Sequence, residues 1–248
     1  MNSYFCDLHI HSCLSPCGDD DMTPGNITGM AALNGLNIVA LTDHNSSKNC
    51  PAFFAQAKAC GLIPVAGMEL TTAEDIHVVC LFRTLEAAMD FDAYVSSHRL
   101  RVPNRPELFG HQQIMNENDE VIGEEPDVLL YASELTLDDA FREVRARGGV
   151  SYPAHIDRPS NGLITTLGDF PETPGWSAYE LRDEASNDSY RAQYPILSGL
   201  RHTVSSDAHY LQDISEATFA IELDDEPYSS SLVRDRLIDY LLGGTQNG

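Results

Sequence analysis

The sequence predicts an α/β fold, a barrel of parallel strands joined by helical crossovers. Three observations carry the prediction. Residues up to about 97 read as short buried strands alternating with helices, the same alternation resumes near Thr136, and metal-binding side chain types recur where a strand gives way to a loop. That strand-to-loop edge is where parallel barrels gather their functional groups.

The first strand follows Tyr4-Phe5 into Cys6-Asp7-Leu8-His9-Ile10-His11-Ser12. Strand side chains alternate with a period of two, so His9 and His11 share a face and both imidazoles can reach one ion. A loop ending in Asp19-Asp20-Asp21 leads to Thr23-Pro24, an N-cap and first-turn proline that start a helix with Ile27, Met30 and Ala31 on its apolar face and Gly35 at its end. Asn37 to Leu41 is a buried strand that runs into Thr42-Asp43-His44. A helix from about Pro51 stops before Gly61, and the strand Leu62 to Ala66 delivers Glu69. The strand Ile76 to Phe82 carries His77 near its beginning, and Thr84 caps a helix from Leu85 to about Ser97.

Residues 98–135 break the rhythm with Pro103, Pro106, Pro126 and a pair of short strands within 114–122. They read as an insertion over the barrel mouth, a lid in the functional sense. Thr136 then caps a helix running to Arg147, with Asp139 completing a capping box and Gly148-Gly149 ending it. Further strands are expected over Val150 to Pro153, Trp176 to Leu181, Arg201 to Ser205 and Phe219 to Leu223, and Leu232, Val233, Leu237, Ile238 and Leu241 mark a closing helix. The expectation is one domain over 1–248.

Composition narrows the function classes. A hydrophobic content of 42% suits a globular chain with a real core, and a net charge of −23 is expected to repel extended DNA or RNA. No run approaches the ~20 apolar residues of a membrane span, and no basic-then-apolar leader opens the chain, so a cytoplasmic location without membrane association is expected. Six cysteines include no Cys-x-x-Cys pair and are expected reduced; Cys13 and Cys17 lie in the loop beside the histidine pair.

The candidate ligands along the chain are His9, His11, an acidic residue at 19 or 20, His44, Glu69, His77, His155, Asp207 and His209, which use six of the nine histidines. Imidazoles and carboxylates together suit zinc, manganese and iron, and the set exceeds what one four-coordinate ion needs. Asp43 and Asp157 are expected to orient neighbouring histidines.

These motifs resemble the PHP family, named for domains of bacterial polymerases and histidinol phosphatases. The resemblance rests on Asp7-Leu8-His9-Ile10-His11-Ser12, Thr42-Asp43-His44, Tyr152-Pro153-Ala154-His155 and Ser205-Ser206-Asp207-Ala208-His209, in that order. It implies a distorted TIM-like barrel of seven strands and helices with two or three divalent ions at its C-terminal mouth. One ion would take His9, His11, Glu69 and Asp207, a second Glu69, His77 and His155, and a third Asp19, His44 and His209. At the third ion the chain departs from the family: Ser15-Pro16-Cys17-Gly18 stands where the acidic ligand is expected, so Asp20 and Cys17 are alternatives to Asp19.

The function expected is a metal-dependent phosphoesterase hydrolysing a small phosphorylated metabolite or nucleotide through a metal-activated hydroxide. Glu69, Asp207 and Arg158 are the expected catalytic residues, with Arg158, Lys48 and His111 toward the substrate. The alternatives are a non-catalytic metal-binding module with a structural or regulatory role, and a hydrolase of carbon–nitrogen bonds on the same activated-water chemistry.

Overall fold

The computed structural model describes residues 1–244. Strands β1 (Asn2–Ile10), β2 (Ile38–Leu41) and β3 (Ile63–Thr71) run parallel side by side, linked by helices α1 (Pro24–Leu33) and α2 (Cys50–Ala59). Local chemistry places the first crossover as the sequence predicts, because Thr23 accepts the Asn26 N–H at 3.2 Å and Pro24 occupies the first turn.

The next strand corrects the all-parallel expectation. β4 (His77–Phe82) pairs antiparallel with β3 from Ala66↔Phe82 to Thr71↔His77. Only Thr72 to Ile76 join them, far too few residues for a parallel crossover. The reversal puts the beginning of β4 beside the end of β3, so His77 opens its strand and still reaches the rim where the parallel strands end. β3 is also longer than predicted, and Glu69 lies within it rather than in a loop. Gly67 makes that close passage workable, since a Cβ there would lie 2.7 Å from the Cys80 carbonyl oxygen and 2.9 Å from Thr42 Cγ2.

After α3 (Leu85–Ser96), the 98–135 segment holds a short helix α4 (Pro106–Phe109) and the expected antiparallel pair β5 (Gln113–Met115) and β6 (Val121–Glu124). Helix α5 (Leu137–Ala146) begins at Thr136 with the predicted capping box to Asp139 and buries Leu137, Ala140 and Val144. β7 (Val150–Pro153) pairs antiparallel with β4, which restores the direction of β1 to β3. Two short helices that the sequence pattern did not announce follow, α6 (Leu163–Leu167) and α7 (Asn187–Gln193), on either side of β8 (Ala178–Leu181).

β8 and β9 (Arg201–Val204) pair in parallel and close the wall: Ile156 N donates to Glu180 O at 2.9 Å on the β7 side, and His11 N to Ala208 O at 3.0 Å on the β1 side. The result is a distorted α/β barrel of seven strands, β1, β2, β3, β4, β7, β8 and β9. β10 (Ala220–Leu223) adds antiparallel to the start of β1, and α8 (Ser230–Leu241) follows it.

Alternation sorts the core into two compartments. Cys6, Leu8, Ile38, Ala40, Ile63, Val65, Val79, Leu81, Val150 and Tyr152 fill the interior, joined by Val233, Leu237, Ile238 and Leu241 of α8. Val39, Leu41, Ala66, Met68, Val78, Cys80 and Phe82 point outward against the crossover helices. Each fully buried aliphatic or aromatic side chain contributes roughly 1.5–3 kcal/mol. The interior packing holds one end of the barrel; the polar cluster occupies the other. No helix among the described residues is long and apolar enough to cross a membrane.

Candidate metal centre

Six imidazoles and two carboxylates meet at the ends of these strands. His9 and His11 bring their Nε2 atoms within 3.1 Å of each other. Asp207, in the turn after β9, approaches both with Oδ1, 3.5 Å from His9 Nε2 and 3.2 Å from His11 Nε2. Glu69 stands at the centre. Its carboxylate lies 3.4 Å from His9, 3.3 Å from His11, 3.0 Å from His44, 2.8 Å from His77 and 3.1 Å from His155. His209 stacks on His11 with ring centroids 4.2 Å apart. His155 and Asp207 hold left-handed backbone (φ 29° and 54°), a conformation uncommon for such residues and concentrated at functional sites.

Hydrogen bonds fix which nitrogen of each ring faces the cluster. Glu180 Oε1 takes His9 Nδ1 at 2.8 Å and the His155 backbone N–H at 3.1 Å. Ser15 Oγ, which donates to Asp43 Oδ1, accepts the His44 backbone N–H at 3.0 Å and so meets His11 Nδ1, 2.9 Å away, as an acceptor. His9 and His11 therefore carry their protons on Nδ1 and turn Nε2 lone pairs inward. His209 Nδ1 donates to Asp207 O at 2.8 Å with the same consequence. Asp43 acts on the histidines as expected, though through Ser15 and the Ser12 N–H and hydroxyl rather than directly. Asp157 does not: it accepts the Arg182 and Asp183 backbone N–H groups, tying two loops together. Buried Asp7 binds the Ser206 and Ser215 N–H groups at 3.1 Å and anchors the turn that carries Asp207.

The electrostatics fit a cation cluster. Burial alone would raise the Glu69 carboxyl, yet His77, His9 and His44 hold it well below the usual range. Asp207 is depressed against burial in the same way, by His9 and His11. Burial opposes a charge on His11, but Asp207 and Glu69 draw its value up to about 9, whereas burial and the neighbouring His11 push His209 down to about 3. Buried Nδ1 atoms of His44 and His77, Oε2 of Glu69 and Oδ1 of Asp207 have no hydrogen-bond partner, although such atoms are ordinarily satisfied. Three sets of potential donors lie within 4.8 Å of one another: His9, His11, Glu69 and Asp207; His44, Glu69 and His77; His11, His44 and His209. Metal ions match this chemistry.

Other predicted residues fall unevenly. Asp19 is absent from all three sets, and its Oδ1 accepts the Asp21 N–H at 2.9 Å; Asp20 is exposed. Arg158 Nη1 reaches Asp207 Oδ2 at 2.9 Å and lines a cavity of about 480 Å³ with Arg182, Ser205 and Ser206. Lys48 pairs with Glu125 of the 98–135 segment. His111 is exposed and lies 3.4 Å from Glu124, away from the cluster. Sequence reasoning missed Glu180 and Ser15. A glutamate between Tyr179 and Leu181 in an expected strand was the available signal for the first; Ser15 offered none.

Comparison with known proteins agrees with this geometry. A stretch of 77 residues, 31% of the chain, is 35% identical to an error-prone DNA polymerase of Symbiobacterium thermophilum, of which it spans only 7%. A Bifidobacterium adolescentis structure, provisionally named a metal-dependent phosphoesterase, superposes with a TM-score of 0.59 at 17% identity, covering 97% of this chain and 96% of that one. The lesion-specific endonuclease EndoQ of Pyrococcus furiosus superposes with a TM-score of 0.56 at 19% identity, over 85% of this chain and 49% of the endonuclease. Endonuclease Q has also been solved with a 27-mer duplex substrate bearing an abasic lesion at the active site. That complex corrects the exclusion of extended nucleic acid drawn from net charge. Net charge summed over a chain does not report the local field at a site, so it does not exclude such a substrate. The PHP domain description matches residues 7–145, more than half the sequence and inclusive of His9, His11, His44, Glu69 and His77. The chain belongs to the PHP family.

Proposed function

We propose that the chain is a metal-dependent phosphoesterase acting on a small phosphorylated metabolite or a nucleotide. The observation that carries this reading is Glu69, a fully buried carboxylate within 3.4 Å of five imidazoles, where the inward Nδ1 atoms of His44 and His77 and its own Oε2 have no hydrogen-bond partner. His9, His11, Glu69 and Asp207 would hold one ion, Glu69, His77 and His155 a second, and His44 with His209 a third; zinc, manganese and iron suit these donors. Divalent ions in such a site lower the pKa of coordinated water toward neutrality and offset charge on a phosphoryl group.

The chain's own residues account for the rest. Glu180 and Ser15 lock the tautomers of His9 and His11, so the rings offer lone pairs in fixed directions. Arg158 bridges the cluster and the adjoining cavity, where Arg182 adds a second guanidinium and Ser205 and Ser206 supply hydroxyls. Two fork-shaped donors beside an acid-bound cluster suit the oxygens of a phosphate ester. A phosphodiester within a nucleic acid presents the same oxygens and belongs in the same assay.

The test is turnover of nucleoside monophosphates, sugar phosphates, a cyclic diester and an oligonucleotide duplex with and without an abasic site, each with Mn²⁺, Zn²⁺ or Fe²⁺. Phosphate-ester cleavage that Arg158→Ala weakens mainly through KM is expected. Cleavage of amides with no phosphate ester turned over would transfer the site to carbon–nitrogen chemistry, and metal uptake without any turnover would leave a binding module.

A further inference from the structure

We infer that the substrate is the phosphate monoester of a sugar or other polyol, with its hydroxyl groups in the cavity beside Arg158 and its phosphoryl group at the metal centre. The inference rests on the phosphoesterase reading above and narrows it to one class of ester. The cavity opens where three strands end: Arg158 follows β7, Arg182 and Asp183 follow β8, and Ser205 and Asp213 follow β9. Arg158 joins it to the cluster through Asp207 Oδ2.

Groups already committed to the backbone fix its walls. Asp157 accepts the Arg182 N–H at 3.0 Å and the Asp183 N–H at 3.1 Å, and buried Asp7 accepts the Ser206 and Ser215 N–H groups at 3.1 Å. Both donors and acceptors are left open. Among the described residues the Arg182 guanidinium and the Asp213 carboxylate pair with nothing, and Asp183 uses only Oδ1, on the Ala185 N–H at 2.9 Å. The Ser205 hydroxyl, on a residue only 2% exposed, has no hydrogen-bond partner.

A hydroxyl donates and accepts at once, so the neighbouring hydroxyls of a polyol suit walls that offer both. A nucleobase is held chiefly by stacking on a ring and by apolar contact. This cavity supplies neither: among the described residues no aromatic side chain lines it, and Pro159 is its only apolar residue. Exposed Tyr210 is close to Asp213 in sequence but stands outside the lining.

The test compares phosphate monoesters that differ in what the cavity would meet, using the full chain with Mn²⁺, Zn²⁺ or Fe²⁺. Ribose 5-phosphate, glucose 6-phosphate and myo-inositol 1-phosphate are the polyol esters. Adenosine 5′-monophosphate adds a base to the same ribose phosphate, n-butyl phosphate lacks the hydroxyls, and phosphoethanolamine offers an ammonium instead. The best polyol ester is expected to exceed each of these three in kcat/KM by at least about 10-fold, the scale of one hydrogen bond to a charged group. Asp213→Ala should shrink the polyol-to-butyl ratio by about 10-fold, and Ser205→Ala by less, through KM rather than kcat. Bound metal per chain, which a folding or cluster defect would lower, should stay at the wild-type level in both variants. If any of the three comparison esters matches the best polyol ester, or if neither variant moves the ratio, the inference is overturned and the phosphoesterase reading stands. If no phosphate ester is turned over, both are overturned.

Discussion

The rim of the barrel and the 98–135 segment both bury polar side chains, and they do so in opposite ways. Gln112, inaccessible to solvent, satisfies itself entirely: Nε2 donates to Glu125 O at 2.8 Å and Asp127 O at 2.9 Å, and Oε1 accepts the Leu129 N–H at 2.8 Å. Asn49 does the same for Met115 N and Gln113 O, stitching the segment to the barrel. Arg99 and Asn104 are the exceptions there, Arg99 with Nε and Nη1 unpaired while Nη2 meets Glu125 at 2.7 Å, and Asn104 with Oδ1 unpaired. At the rim the pattern inverts. Glu69, His44, His77 and Asp207 are buried too, yet each faces the others with an atom that has no hydrogen-bond partner. Polar groups that close among themselves build structure, and polar groups left open toward a common point mark where a cation belongs.

The sharpest way to break that contrast is Glu69→Gln. It removes a charge shared by five histidines, so turnover should fall by more than about 100-fold, the upper range for merely disturbing a residue that orients a ligand, and bound metal per chain should drop. Retained turnover and metal content would erase the distinction. Next comes Glu180→Gln, which keeps the shape but weakens the hold on His9 Nδ1; metal affinity measured against a chelator should fall about 10- to 100-fold while the fold survives.

On the other side of the comparison, Gln112→Ala leaves two carbonyls and one N–H without partners and should lower unfolding free energy by about 2–3 kcal/mol in urea titrations. Metal content of the folded protein should not change.

The smallest effect is a pH dependence. Burial alone would raise the Glu125 carboxyl, but Lys48 and Arg99 donate to it and hold it below the ordinary value. A carboxylate depressed in the folded chain contributes stability above its unfolded pKa of about 4.3 and loses it as pH falls through the lower folded value. The gap in urea midpoint between wild type and Glu125→Gln should therefore be widest near neutral pH and shrink below about pH 4. A gap constant down to pH 3 would show that the pair does not titrate as described.

Much of the geometry was legible in the sequence because the candidate ligands are chemically distinctive and sit at or near strand ends. His9, His11, His44, Glu69, His77, His155, Asp207 and His209 all reach the rim from positions chosen on that basis. What was not legible depends on long-range contacts: Glu180 meets His9 across 171 positions, and Ser15 is an ordinary loop serine until Asp43 and two histidines close around it. The reversal of β4 had a readable signal in its short connection to β3, overlooked because strand and helix otherwise alternate so regularly. Net charge misled about nucleic acid for the opposite reason, as a sum over the chain cannot register where the charges lie.

The β3–β4 hairpin has a consequence for how such a barrel diversifies. With no crossover helix between these strands, the neighbouring entrance is walled by a separate stretch: Ser133 N donates to Thr71 O, Ala73 N to Leu135 O, and Gly110 sits so close to Pro16 that any larger residue would collide with its carbonyl. None of the proposed ligands lies between His77 and His155. Architecture of this kind separates the doorway from the reaction vessel, so a lineage can remodel what enters without touching the atoms that react.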